Sequence, residues 1–344
     1  MLNKKFATVT SVSLLFVALN TIANTSASLA HAQNNKVRVA QTWVPNIEYG
    51  GLWVAIENGY FDEEGLNVDY IPGGPNATRP EIVVASGNAE IGYTNWIPFL
   101  DAVARGNDFV MLAATLPVSP LGIISLPGKP ILAAQDMAGS RILAQRATER
   151  EVVNATFTLN DLEAEWESIP TGFSPEPLLA GDGDGYTAFE TNQVITLEMM
   201  GLERDEDFHF VLFDELGFTS SNGVLFTTRD YLEEERESVI GFMRALTRGW
   251  IENEQDPDAA VELVVNNFGA DLGLDPEQQR RQNETQIQLM RPYDDPDHRL
   301  LTLDKAVIAG PMYDAARASG REELPNVDQI VDTTIMQEVH ESLR

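Results

Sequence analysis

Trp43, Asn46 and Tyr49 place two aromatic faces and a carboxamide within seven residues. Such a set can stack on a flat ring and read its polar edge. The aromatic faces offer large apolar contact, and the carboxamide offers donors and an acceptor together. Asn95 and Trp96 repeat the pairing, and Tyr186 and Glu190 add a phenol and a carboxylate four residues apart. On a helix that spacing shares a face. Glu190 would favour a donor-rich or cationic group. Each position also has a structural reading. Trp43 and Trp96 could pack in a core, Asn46 could cap a turn, and Tyr186 and Glu190 could face solvent. For an anion, the attractive cations are Arg79 and Arg141. Asn76, Ala77 and Thr78 stand at a helix start, where capping is the commoner role.

Catalytic sets are poor by comparison. The chain has no cysteine, which excludes disulfides, thiolate metal sites, cysteine nucleophiles and an N-terminal lipid anchor on cysteine. Its four histidines, His31, His209, His298 and His340, show no metal-ligand spacing. Serine and aspartate are plentiful, without a nucleophile motif around them. The run Gly181-Asp182-Gly183-Asp184-Gly185 lacks the lysine of a P-loop and the spacing of an EF-hand. Neither a metal nor a cofactor is implied. The chemistry on offer is recognition.

The elements that position these residues alternate. Lys36-Val37-Arg38-Val39-Ala40 alternates polar and apolar, as a half-buried strand does. A helix over 51–57, a strand over 66–71, a helix over 79–85, a strand over 89–93, a helix over 97–104 and a strand over 109–114 follow. Such alternation implies parallel α/β lobes, whose strand-end loops carry ligands. In the middle part, 141–144 and 208–213 read as strands and 186–200 as one long helix. The last part reads as helices over about 228–252, 256–267, 276–289 and 302–319. No internal repeat, low-complexity tract or flexible linker divides the chain.

The 344 residues suit two lobes of ordinary size. Residues 1–32 read as an export signal. Lys4 and Lys5 form a basic start, an apolar run spans Val12 to Ala18, and Ala30-His31-Ala32 supplies the small residues a signal peptidase reads. The apolar stretch is too short to span a bilayer. The mature protein is therefore expected to begin near Gln33 and to be exported to the periplasm. The whole chain sets 53 acids against 23 bases, a net charge of -30. A surface this acidic repels nucleic acid and anionic lipid, and it suits a salty exterior.

The segment Trp43-Val44-Pro45-Asn46-Ile47-Glu48-Tyr49-Gly50-Gly51 resembles the first ligand loop of NMT1/THI5-like proteins. Trp53-Val54-Ala55, Gly59-Tyr60-Phe61 and Glu64-Gly65-Leu66-Asn67-Val68 continue it. Further similar blocks are Ala85 to Gly92, then Leu179-Ala180-Gly181 through Asp184 with Asn192-Gln193, and then Phe242, Ala245 and Gly249-Trp250. The resemblance implies a type II periplasmic-binding fold, two α/β lobes with a ligand cleft between them. Lobe 1 would take residues 33–124 and the mostly helical 223–344; lobe 2 would take 125–222. It implies a binding protein that serves a membrane permease of the ABC class, as a monomer, for a small-molecule ligand. Relatives bind pyrimidine precursors of thiamine, or nitrate, sulfonates and aromatic compounds. The family's synthase branch uses a histidine and a cysteine-rich stretch. Here Tyr49 stands at the histidine position and cysteine is absent, which argues against an enzyme. The expected ligand set is Trp43, Asn46, Tyr49, Asn95, Trp96, Tyr186 and Glu190.

Overall fold

The computed structural model describes residues 35–291 and 298–344. The expected export signal, residues 1–32, lies outside the described residues.

Among the described residues, ten strands form two five-stranded sheets. In chain order they are β1 (Lys36–Ala40), β2 (Asn67–Ile71), β3 (Ile91–Thr94), β4 (Phe109–Leu116), β5 (Leu121–Ser125), β6 (Arg141–Ala144), β7 (Glu167–Pro170), β8 (Gly185–Phe189), β9 (His209–Leu212) and β10 (Asn222–Thr228). The alternation in β1 turns Val37 and Val39 into one core. β4 is buried along its whole length and so shows no alternation to read.

The first sheet runs β2-β1-β3-β10-β4 and the second β7-β6-β8-β5-β9. The two orders are equivalent. Each has three parallel strands, then one antiparallel strand supplied by a crossing segment, then an edge. β5 enters the second sheet directly from β4, and β10 returns the chain to the first. The expected lobes were parallel throughout; the antiparallel β5 and β10 make both sheets mixed. The first crossing falls between Leu116 and Leu121, ahead of the expected Ser125, and the second between Leu212 and Asn222.

Apolar side chains cover both faces of each sheet. On the first sheet the helix Gly50–Glu57 meets the long helix Arg236–Gln255 at a glycine contact. A Cβ at Gly249 would overlap the carbonyl oxygen of Gly51, and one at Gly51 would overlap the indole of Trp250. The Gly249-Trp250 pair therefore sets how closely these helices pack. The helix Tyr313–Ala318 leans onto the second lobe, where Ala315 joins a core with Val152, Val153 and Phe157.

Two helical expectations change. Residues 186–200 are not one helix. Gly185–Phe189 is β8, at the centre of the second sheet, followed by a π-turn over Glu190–Val194 and a short helix Ile195–Met199. The expected helix over 302–319 begins at Lys305 and is broken at Gly310, whose φ/ψ of -95/-109 is non-helical, beside Pro311.

Candidate functional site

The loops after β1, β3, β6, β7 and β8 converge between the sheets. From the first lobe comes Trp43, two residues beyond the Gln41 that follows β1. Its carbonyl accepts from Gly73 N–H at 2.9 Å and its own N–H donates to the Tyr49 hydroxyl at 2.9 Å. From the second lobe come Arg146, after β6, and Phe173, after β7. The Trp43 and Phe173 rings meet edge to face at 5.7 Å. The Arg146 guanidinium lies 5.4 Å from the first ring and 5.3 Å from the second, within cation–π range of both. Phe173 is 47% exposed and lines the cleft.

This contact separates two connected chambers. The inner one, about 100 Å³, is walled by carboxamides: Asn46, Gln145, Asn192, Gln193, Asn222, Gln282 and Gln286, with Glu48 among them. The outer one, about 530 Å³, is bounded by Arg79, Glu81, Ile97, Pro98, Val152, Phe213 and Phe218. Thr42, Trp43, Asn95, Arg146, Phe173, Phe189 and Asn222 line both.

The inner chamber is held by local structure. Asn46 caps the single turn Ile47–Tyr49, its Oδ1 accepting from Glu48 N–H at 3.0 Å. Its carbonyl accepts from the Trp53 indole at 2.7 Å. The π-turn after β8 turns Thr191, Asn192 and Gln193 toward the chamber, a use of π geometry frequent at binding sites. Gln193 accepts from Phe189 N–H at 2.9 Å and donates to the Phe173 carbonyl at 3.4 Å, so one side chain ties both second-lobe phenylalanines. Glu48 is half-buried in the wall. Burial pushes its carboxyl up to about 7, with the positive charge of Arg146 pulling the other way. Behind Arg146, Glu149 is buried and accepts from the N–H groups of Gln145 and Arg146 and from the Thr187 hydroxyl. Its carboxylate takes the two N–H groups just ahead of the helix Ala147–Leu159 and so places a negative charge at that helix start.

Three of the seven expected ligand residues lie at the cleft: Trp43 and Asn95 line both chambers, and Asn46 lines the inner one while capping its turn. The other four lie elsewhere. Tyr49 is fully buried under the Trp43 loop, edge-on to Trp53 and Tyr93. Trp96 is fully buried and stacks on Phe99 and Tyr313, because the first turn of its helix points into the core. Tyr186 points into the second lobe from β8, donating to the Gly172 carbonyl at 2.9 Å and accepting from Gln145 at 3.0 Å. Glu190 opens the π-turn and pairs with Arg204 at 2.8 Å, away from either chamber. Of the two arginines weighed for an anion, Arg79 borders the outer chamber. Arg141 instead holds the 181–184 loop, with Asp184 Oδ1 at 3.5 Å and the Gly181 and Asp182 carbonyls at 3.2 Å. Among the described residues, no group of three or more His, Cys, Asp or Glu side chains could hold a metal ion.

Glu48, Arg146 and Phe173 were not anticipated. Glu48 lies inside the ligand-loop segment, between Asn46 and Tyr49, which drew the sequence reading instead. Arg146 follows β6 as Asn95 follows β3, so the same strand-end rule points to it. Phe173 follows β7, a four-residue strand with half its residues exposed or proline, which leaves little pattern to read.

Two mixed sheets of equivalent order, two crossings and a cleft built from strand-end loops of both lobes define the periplasmic-binding-protein fold. The periplasmic aliphatic sulphonate binding protein of Escherichia coli superposes with a TM-score of 0.65 at 13% identity, covering 86% of this chain and 91% of that one. Residues 46–260 match the family described as NMT1/THI5 like, and the chain belongs to that family. A formylaminopyrimidine-binding protein of Halalkalibacterium halodurans is 27% identical over 243 residues, 67% of this chain and 70% of that protein. A 4-amino-5-hydroxymethyl-2-methylpyrimidine phosphate synthase of Legionella pneumophila is 23% identical over 239 residues, 67% of this chain and 73% of that protein.

Proposed function

We propose that this chain is the exported solute-binding component of an ABC importer, acting as a monomer in the periplasm, and that it captures a small heteroaromatic ring. The observation that carries this reading is the inner chamber itself: aromatic faces from opposite lobes beside a wall of carboxamides and one carboxylate. Aromatic faces favour a flat ring, carboxamides read both donors and acceptors on its edge, and Glu48 selects for a donor or a positive charge. The name of the Halalkalibacterium relative supports a pyrimidine. Closure of the lobes about the two crossings would present a joined surface to the permease. The reading is of a binder and not a synthase. Tyr49 fills the position where the synthase branch has histidine, and it is buried beneath the Trp43 loop rather than facing the chamber.

A second reading rests on Arg146, a cation at the cleft that forms no ion pair among the described residues. It would suit a sulfonate or another small anion. Calorimetry separates the two. A formylaminopyrimidine and 4-amino-5-hydroxymethyl-2-methylpyrimidine should bind, and Trp43→Ala should weaken them by about 1–3 kcal/mol through lost contact and stacking. Micromolar binding of taurine, an alkanesulfonate or nitrate, weakened by Arg146→Ala, would overturn the ring reading in favour of the anion.

A further inference from the structure

Resting on the ring reading, we infer that the ligand has two linked parts. A heteroaromatic ring fills the inner chamber, and a second, largely apolar group joined through an N–H-bearing linker fills the outer one. The volumes motivate this. The inner chamber measures about 100 Å³ and the outer about 530 Å³; both are open to solvent, and Trp43 and Phe173 stand in the walls of both. A lone ring in the inner chamber would leave the larger space to water against apolar walls.

Those walls are built rather than merely open. Val152, Phe213 and Phe218 come from the second lobe and its crossing and border the chamber from a packed core, at 7%, 1% and 4% exposure; Ile97 and Pro98 border it from the first lobe. Ser319, which follows the helix Tyr313–Ala318, also lines the chamber. There Arg321 ties the lobes together. It donates to both oxygens of Asp101 in the first lobe, at 2.6 and 3.0 Å, and to Glu151 in the second at 3.2 Å. The outer chamber is thus a space between two bridged lobes, with the ring site at one end.

Its polar chemistry picks the linker. Glu81 borders the chamber at 3% exposure. One carboxylate oxygen accepts from the Thr94 hydroxyl; the other has no hydrogen-bond donor, Arg79 Nε standing 3.9 Å off. A buried carboxylate oxygen without a donor is costly, and a ligand N–H would satisfy it once the Glu81 side chain turned that oxygen, now shut from solvent, toward the chamber. An anionic second group would meet Glu81 as well as Arg79 and Arg146 and would lose its hydration against the apolar walls, so it gains less than an apolar one.

The test is calorimetry on the full chain with a matched set: 4-amino-5-aminomethyl-2-methylpyrimidine, its N-benzyl derivative, and its N-(4-carboxybenzyl) derivative. The N-benzyl compound should bind about tenfold tighter than the parent, from the added apolar burial, and the carboxybenzyl compound should lose that gain. Thr148→Trp and Ala77→Trp alter exposed residues that line the outer chamber alone. Either should abolish the N-benzyl gain and leave the parent within about twofold, since the inner chamber is untouched. Two variants are specified so that one remains if the other fails to fold. If the parent binds and the N-benzyl compound binds no tighter, or if the Trp variants weaken both compounds equally, the two-part ligand is wrong and the ring reading stands. If none of the three binds the wild-type chain, both fall.

Discussion

Glu48 ionises near neutrality, and this gives the cleft a measurable pH signature. Its carboxyl is pushed from the ordinary 4.5 up to about 7, by burial first and against the pull of Arg146. The folded chain therefore holds a proton at Glu48 over a pH range where the unfolded chain has released it. Stability should fall as pH rises from about 4.5 to about 7 and then level off, because in that window the folded state binds more protons. Glu48→Gln is neutral at every pH and removes this dependence. The variant's melting temperature, compared with that of the wild type, should be closest near pH 5 and higher near pH 8. Thermal unfolding of both chains without ligand across that range checks it. Parallel curves would mean that Glu48 is solvated in the open cleft and ionises as an ordinary carboxylate.

At the scale of elements, the helix Pro276–Leu289 positions the ligand loop from outside the sheet. It is poor in apolar residues on the face that packs, and buries Gln279, Gln282, Asn283 and Gln286 instead. Gln279 accepts from Ile47 N–H at 3.0 Å and Gln286 donates to the Ile47 carbonyl at 2.7 Å, so two side chains hold both polar groups of one loop residue. Asn283 and Asn253 exchange amide bonds at 2.9 and 2.8 Å beneath them. A buried amide network of this kind is stabilising when complete and costly when broken. Gln279 does not line the inner chamber, which makes it the clean probe. Gln279→Ala should cost about 1–3 kcal/mol of stability, the range for a buried N–H left unpaired. It should also weaken ring binding, by loosening the turn that carries Asn46 and Glu48. An unchanged affinity in a destabilised variant would show that Asn46 and Gln286 hold the loop unaided. This helix was legible in the sequence, with matching ends, because Asp275 and Pro276 mark its start. β1 and β2 were legible within a residue for the same local reason, alternation between clear breakers. β8 was not, since Gly185–Phe189 is largely buried on both faces and its Tyr-Thr-Ala-Phe run reads equally as helix. The site followed the same division. Trp43 and Asn95 follow visible strands and line the cleft as expected of their loops; Phe173 follows a strand that local pattern does not reveal. Tyr49 and Trp96 were placed at the ligand because their loops are right, although their rings turn inward. Sequence shows where a loop starts, but the direction of each side chain is decided by packing.

For the whole molecule, charge is the largest influence that no single contact explains. With 53 acids against 23 bases, 30 acids would remain unmatched even if every cation were paired. The arginines are in fact heavily used, as in Arg236–Glu338, Arg244–Glu64 and Arg291–Glu254. The unmatched acids lie on a compact surface, where mutual repulsion works against the folded state more than against the expanded chain. Salt weakens that repulsion, since the screening length falls from about 10 Å at 0.1 M to about 3 Å at 1 M. The melting temperature should therefore rise by several degrees between about 0.05 and 0.5 M sodium chloride, a shift of about 2 kcal/mol or more for a chain of this size. Screening can be told from a general salt effect on apolar burial by removing charge directly. Glu163, Glu165, Glu322 and Glu323 are exposed and form no ion pair among the described residues. The fourfold Glu→Gln variant should be more stable than wild type at low salt and should gain less from added salt. Equal salt slopes in the two chains, or a wild-type melting temperature that does not rise, would mean that self-repulsion is not what limits stability. The same field acts on cargo at a distance. It slows an approaching anion and speeds a cation, and both effects fade with salt. A neutral ring should therefore associate at a rate that salt leaves unchanged, which stopped-flow quenching of the Trp43 fluorescence can measure. An association rate that climbs with salt would mark the cargo as an anion and return Arg146 to the centre of the site.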